Sequence, residues 1–270
     1  MSFKILRIEG AQWQTKAGPK GHGLLMTATL TPPAAAVARH NPVERLADYM
    51  QALHHYLGLP NAIVDRILFV DNSNSDLTPL INMATRLVHG KAVEFISFAG
   101  NDHDYHLGKA YGEFKLMDFG MANTSLFEPH DLIWKTTGRL KILNFEDLTQ
   151  HCKNLTFDVL CDLHNLPWVG SGNWHQRHHM DLRVFAFRQS AYNSVFGGLW
   201  RTQTTVLDAE FFYHRVRKSY NDVQVIPRFP VQLQLQGISG RHQRDYATRT
   251  QRAKDAVRRV SRKLAPWLWL

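Results

Sequence analysis

The chain has 270 residues, 44% hydrophobic and 20% charged, a globular composition that excludes a disordered chain and leaves room for one large α/β domain or a domain with a tail. No run of about 18 uncharged apolar residues occurs, so no spanning helix is expected. Glu9 interrupts the opening segment before a signal-peptide core can form. The net charge is +9, yet residues 241–263 alone hold nine cations against two anions, which leaves the rest of the chain close to neutral. That distribution argues against a protein whose whole face binds nucleic acid, and for a local electrostatic anchor. The only cysteines, Cys152 and Cys161, make no metal framework and fit a reducing compartment.

Residues 24–30 read as a buried strand ending at Thr31-Pro32-Pro33. A helix follows, with Asn41 as its N-cap, Pro42 at its first position and Glu44 in its first turn. Its apolar positions Val43, Leu46, Met50, Leu53 and Leu57 recur at helical spacing. Ile67–Val70 is a second strand, 77–88 a helix and 93–98 a third strand. A polar loop, GNDHDYHLGK, leads into a long helix near 109–127, and Asp131–Lys135 is a fourth strand. A short helix near 145–151, strands near 157–163 and 181–187, and a helix near 208–219 complete the body. Strand and helix alternate through the first half, which implies a mostly parallel sheet with helices on both faces. Ligands of such sheets bind beyond the carboxyl ends of the strands. Four polar clusters fall at those ends, and together they predict a cleft for a polar, phosphorylated ligand.

Each cluster has two readings. Asp71, Asn72 and Ser73, in VDNSNSD, suit a turn and helix cap equally with Asp71 accepting from a ribose or base edge. Gly108, Lys109 and Glu113 open a helix whose N-terminus suits an anion, although Glu113 is also what the helix dipole alone favours. Lys135, Thr137, Gly138 and Arg139, with Thr136 between them, crowd the end of an apolar strand with two cations, two hydroxyls and a glycine that permits close backbone approach, which suits phosphate or sugar, with a structural turn as the other reading. Asp102 and Asp104 can hold a divalent cation but are also ordinary loop residues. His175, His178 and His179 match no zinc spacing and read as a solvated or substrate-facing loop. Asp181 and Arg183 should project from one face of their strand. Asp181 and Glu210 are the two candidates for a general base, and the sequence does not choose between them.

With these pieces in order, the chain resembles a GT-A-type glycosyltransferase. VDNSNSD is similar to the nucleotide-contacting segment of family-2-type transferases, and the strand carrying Thr29, Thr31 and Pro32 resembles the one that supports the base. GKAYGE, NTSLF, WKTTGRLKILN and DLRVFAF together resemble a group of bacterial polysaccharide glycosyltransferases over residues 24–215. The resemblance implies a Rossmann-like GT-A fold, a nucleotide-sugar donor, and a glycan or lipid-linked acceptor met by Arg183 and His179. It also implies a role in lipopolysaccharide, capsule or O-antigen synthesis. One departure stands out: the strand that ends in Asp-x-Asp in the common pattern ends here in Lys-Thr-Thr-Gly-Arg. Lys109, Lys135 and Arg139 would then neutralise the diphosphate directly and no cofactor would be required, with Mn²⁺ or Mg²⁺ as the alternative.

From residue 241 the pattern is a basic amphipathic helix, with Ala253, Val257, Val260 and Leu264 on one stripe and Trp267 and Trp269 beyond it. The expected division is a catalytic domain over 1–240 and a tail over 241–270. The tail would hold the chain on an anionic membrane, at the inner face of the cytoplasmic membrane, and its removal after Gly240 should release it. Docking of the tail on its own domain is the competing reading. Two other functions remain possible at this stage: a metal-dependent nucleotidyl- or phosphotransferase using the same cleft, and a nucleic-acid-binding protein using the tail.

Overall fold

The alternating first half folds as a four-stranded parallel layer that further strands extend on both sides. The computed structural model describes residues 3–11, 13, 21–33, 37–165, 178–203, 205–240, 245, 246 and 248–265. In chain order the elements are β1 (Phe3–Glu9), β2 (His22–Ala28), α1 (Pro42–Leu57), β3 (Val64–Asp71), α2 (Thr78–Leu87), β4 (Ala92–Phe98) and α3 (Lys109–Asn123). Then come β5 (Leu132–Thr137), β6 (Lys141–Ile142), α4 (Phe145–Cys152), β7 (Val159–Leu160), β8 (Leu163–Asn165), β9 (His178–Met180) and β10 (Val184–Arg188). The chain continues through α5 (Gln189–Val195), α6 (Ala209–Lys218), β11 (Val225–Ile226), β12 (Leu235–Gln236) and α7 (Arg249–Leu264).

The main sheet runs β1-β4-β3-β2-β5-β10-β7-β11, with β4, β3, β2 and β5 mutually parallel. Strands β1 and β10 pair antiparallel at either side of that layer. The chain moves outward from β2 to β4 and then returns to place β5 on the other side of β2. The switch point therefore lies between the carboxyl ends of β2 and β5, where open α/β sheets bind ligands. Alternating side chains feed two cores: Leu24, Met26, Ile67 and Phe69 face α1, α2 and α4, while Leu25, Leu68 and Val70 face α3, α5 and α6. Each fully buried Leu or Phe contributes about 1.5–3 kcal/mol, so Phe69→Ala, which also leaves a cavity, should cost about 3–5 kcal/mol.

Local signals set the ends of the elements. Asn41 Oδ1 accepts from the backbone N–H of Val43 and Glu44, as its N-cap reading requires. Val43 is 76% exposed, however, and the helix buries Arg45, Tyr49 and Tyr56 beside Leu53 and Leu57. Strand β1, unexpected from the sequence, is an edge strand whose Phe3, Ile5 and Leu6 stay nearly half exposed. The expected strand at 157–163 is broken into β7 and β8, and that at 181–187 starts at Val184. The latter delay has a local cause: Asp181 Oδ1 accepts from the Arg183 N–H and turns the chain. Two buried cations are well partnered: Arg66 binds Asp65, Asp131 and the Gly21 carbonyl, and Lys91 donates to Asn61 and to the Leu59 and Val64 carbonyls. Burial lowers the Lys91 pKa to about 8. Both cysteines are buried and free. Among the described residues no helix is long and apolar enough to cross a membrane.

Candidate functional site

A cavity of about 510 Å³ opens at the switch point between β2 and β5, a volume typical of small-molecule sites. Of the residues expected there, Thr29, Pro32, Asn72, Gly108, Lys109, Glu113, Thr137, Arg139 and Arg183 line it. Thr27 at the end of β2 and His103 and Tyr105 in the polar loop before α3 line it as well, while Arg45, Tyr49, Leu182, Ser239, Gly240 and Tyr246, which also line it, were not expected from the sequence. Arg45 and Tyr49 carried a signal: each is a polar-tipped residue at a core-facing position of an otherwise apolar helical stripe.

The N-terminus of α3 forms one wall. Gly108 precedes it with φ +88°, where a Cβ would also strike the Leu207 carbonyl at 2.7 Å, and no side chain caps the helix. Uncapped first-turn N–H groups beside Lys109 suit an anion. Arg139 faces them from the other side. Its Nη1 donates to the Ile238 carbonyl at 2.7 Å, while its buried Nε has no hydrogen-bond partner. Arg45 adds charge from α1, held by the Thr29 and Arg39 carbonyls and the Tyr49 hydroxyl. Glu113 is the single carboxylate lining the cavity among the described residues. Its Oε1 accepts from Thr27 Oγ1 and from the Lys135 ammonium.

Several expected ligand contacts are occupied elsewhere. Lys135 has no exposed side-chain surface; it binds Glu113 and the Leu182 carbonyl and so orients the carboxylate instead of reaching a phosphate. Asp71 is fully buried and accepts from Leu30 N, Ser73 N, Ser73 Oγ, Ser75 N and Ser97 Oγ, which leaves no room for a ribose. It ties the loops after β2 and β3 together, and Asn72 beside it faces the cleft. Thr31 and Ser73 hydrogen-bond each other outside the lining. The close approach Gly138 permits is to protein: its N–H donates to the Thr27 carbonyl, and a Cβ there would meet that oxygen at 2.8 Å.

The expected carboxylate bases are also displaced. Asp181 and Arg183 precede β10 instead of projecting from one of its faces, and they pair with each other at 2.6 Å. Burial alone would raise the Asp181 pKa; the Arg183 guanidinium outweighs it and holds the carboxyl well below the usual range. A carboxylate so held is a poor proton acceptor. Asp181 lies behind the cleft with Asp162, His164 and Arg258, and His179 stacks on His164 at 4.3 Å. Glu210 sits just past Ala209, which lines the cavity, beside His178 and His214. His175 lies outside the described residues.

A divalent cation has a poor donor set in the cleft. The strand end that would supply two carboxylates supplies Lys135 and Arg139, and Glu113 is taken by a lysine. Asp102 pairs with Lys115, and Asp104 caps its own turn by accepting from His106 N. In this loop Asn101, His103 and Tyr105 face the cavity while Asp102 and Asp104 do not.

No family model and no curated protein matches the chain. Among solved structures, a protein of Desulfovibrio desulfuricans G20 described as a candidate nucleotide-diphospho-sugar transferase aligns with TM-score 0.43 and 14% identity, over 77% of this chain and 79% of that one. Mouse xyloside xylosyltransferase 1 aligns with TM-score 0.43 and 14% identity, over 77% and 84%. A 4-diphosphocytidyl-2C-methyl-D-erythritol synthase aligns with TM-score 0.42 and 10% identity, over 91% and 99%. Likenesses this distant assign no activity.

Proposed function

We propose that the protein is a glycosyltransferase that moves a sugar from a nucleotide diphosphate to a glycan or lipid-linked acceptor. The observation that carries this reading is the cleft itself: an uncapped helix N-terminus and the cations Lys109, Arg139 and Arg45 around a single carboxylate, at the switch point of a parallel sheet. A diphosphate matches that charge, and an arginine fork matches its oxygens. In a single displacement the acceptor hydroxyl oxygen bonds to the anomeric carbon and the bond from that carbon to the diphosphate breaks. The electron pair leaves on the nucleoside diphosphate, where Arg139 and the α3 N–H groups stabilise it. The acceptor proton passes to Glu113. Both hydrogen bonds made to this residue by the protein fall on Oε1, so Oε2 is the oxygen that takes the proton. The cleft cations take the place of the divalent ion used by Asp-x-Asp enzymes.

The test is a thermal-shift panel of UDP, GDP, CMP and dTDP, each with and without EDTA. One nucleoside diphosphate should raise the melting temperature, and EDTA should leave that shift intact. A shift that EDTA abolishes and Mn²⁺ restores overturns the metal-free reading of the cleft, and no shift with any nucleotide overturns the transferase reading.

The acceptor and location belong to the same proposal. Helix α7 docks by its polar side: Arg262 binds Asp162 at 2.7 Å, Gln232 and the Phe229 carbonyl. Its apolar stripe points outward, with Val257, Val260 and Leu264 exposed by 62%, 55% and 75% and flanked by exposed Lys254, Arg259 and Lys263. Trp267 and Trp269 lie outside the described residues. An apolar stripe bordered by cations matches an anionic leaflet, where each cation contributes about 1 kcal/mol. The protein would thus work at the inner face of the cytoplasmic membrane on a surface polysaccharide. Truncation after Gly240 is not a clean test, because Tyr246 lines the cleft and Arg262 anchors the helix. Reversing Lys254, Arg259 and Lys263 to glutamate should abolish sedimentation with anionic vesicles; unchanged sedimentation discards the membrane assignment.

A further inference from the structure

Helix α6 and strand β9 meet at the edge of the cleft, and three potential metal ligands meet there with them. His178 comes from β9; Glu210 and His214 come from one face of α6, four residues apart. One ligand atom from each lies within 4.8 Å of the other two. From this we infer that His178, Glu210 and His214 form a binding site for one divalent transition-metal ion of the zinc class. The inference is independent of what the cleft binds.

The backbone beneath the cluster is fixed. Asp208 Oδ1 accepts from the N–H of Glu210 and Phe211 and holds the first turn of α6. Strand β9 is paired to β8, with His178 opposite Asn165. The His178 ring stacks on Tyr213 at 4.9 Å and 12°, and meets the His214 ring edge-on at 5.9 Å. The two elements that carry the ligands are therefore positioned before any ion arrives. Donor atoms of a tetrahedral zinc site with bonds of about 2.0–2.2 Å lie about 3.3–3.6 Å apart. Closing from 4.8 Å needs only rotamer adjustment, and His214 and Glu210, with side chains 62% and 41% exposed, are free of packing that would prevent it.

The chemistry of the set selects the ion. Two imidazoles and one carboxylate are the three protein ligands of zinc sites whose fourth position is left to water or substrate. Imidazole disfavours magnesium, calcium and manganese, which prefer oxygen. The ion would tie the β8–β9 hairpin to α6, one residue beyond the cleft-lining Ala209. This is a different role from the diphosphate-bound ion of Asp-x-Asp enzymes, and it uses none of the residues that face the diphosphate.

The experiment is a Co²⁺ titration of the full chain, without a polyhistidine tag, read by visible absorption and by competition with Zn²⁺. One saturable equivalent with the intense absorption of four- or five-coordinate cobalt, displaced by Zn²⁺ and not by Mg²⁺, is expected. His214→Ala, on an exposed side chain, should weaken binding by at least about 10–100-fold, the scale on which even outer-shell partners act. Glu210→Gln should weaken it as well. His151→Ala, on an exposed histidine of α4, should bind like the parent. Absence of a saturable equivalent, or unchanged binding by His214→Ala, overturns the site. Nucleotide binding is read separately, in EDTA, so failure of the metal site and failure of the transferase reading are distinguishable.

Discussion

The cleft has two walls, and they are held by different kinds of contact. On the wall made by the ends of β2 and β3, Asp71 accepts from Leu30, Ser73, Ser75 and Ser97, and Asn72 accepts from Thr29 Oγ1. These partners are at most 43 residues apart and lie at or just beyond the ends of the adjacent parallel strands β2, β3 and β4. On the wall made by Arg139, Arg183, residues 238–240 and Tyr246, the ties are longer: Arg139 to the Ile238 carbonyl across 99 residues, and Arg262 to Asp162 across 100. Closing the longer loop costs only about 0.6 kcal/mol for each doubling, so the fold tolerates it. What differs is dependence: the first wall is a dense local net, whereas the second hangs on a few single ion pairs and on the docking of α7. The first should therefore open only with global unfolding, and the second should be the region that loosens first.

The largest effect expected on that contrast is catalytic. If the reacting carboxylate stands where α3 meets the β2 wall, Glu113→Gln should lower turnover by about 100- to 10,000-fold while nucleoside diphosphate affinity changes little. Asp181→Asn, on the other wall, should lower stability and leave the residual rate per folded molecule much closer to the parent. Steady-state rates with separate nucleotide titrations decide it. A dead Asp181→Asn enzyme that is folded and binds donor, beside an active Glu113→Gln enzyme, would move the base to the second wall.

Next in size is the anchor of the second wall. Arg262→Met leaves the Asp162 carboxylate, 8% exposed, without its guanidinium. Removing one partner of a buried pair costs about 3–5 kcal/mol, whereas removing both charges costs much less. Urea unfolding should show that loss for Arg262→Met and recovery of most of it in Arg262→Met/Asp162→Asn. Because Tyr246 sits over Arg183 at 4.9 Å and both line the cleft, the single variant should also weaken nucleotide binding. An unchanged midpoint for Arg262→Met would mean that α7 is held by something other than this pair.

The same contrast explains what the sequence made legible. The parallel layer, the N-cap at Asn41 and the clustering of polar residues at strand ends follow from short-range patterns, and they located the cleft. Lys135 and Arg139 flank one turn and look alike in sequence; only the pleat of β5 puts one ammonium beneath Glu113 and leaves the other cation facing the cavity. Asp71 looks like a ligand because it ends a strand, but four of its five donors come from the loops after β2 and β3 and the fifth from β4, and these meet only in the folded chain. Asp181 and Arg183 were expected on one outward face of a strand, but both precede β10 and Asp181 is buried, because an Asx turn shortens the strand and pairs the two side chains. Tyr246 and Ser239 had no local signal, since their place in the cleft depends on the packing of residues 238–240 against Arg139 and on the hydrogen bond from the Tyr246 N–H to the Gly237 carbonyl.

The smallest of these effects is a pH dependence confined to the second wall. His164 is 5% exposed, stacked on His179 and 3.7 Å from the Asp162 carboxylate. Burial lowers its pKa from 6.5 to about 4, against the opposing pull of Asp162. The folded protein therefore keeps this ring neutral where the unfolded chain already takes a proton. The stability it contributes is complete above about pH 6.5, falls as pH drops toward 4, and is constant below that. A shift of this size amounts to roughly 3 kcal/mol across the window. Other buried histidines shift the same way, so the useful quantity is the difference between the parent and His164→Asn, measured by urea unfolding from pH 7.5 to 4. The parent should lose more stability across that window than the variant. Hydrogen exchange at pH 5 should show α7 and β8–β9 loosening ahead of β2 and β3, because the hydrogen-bond net around Asp71 contains no histidine. Parallel stability curves for parent and variant, with both walls exchanging together, would show that the two halves of the cleft are one cooperative unit.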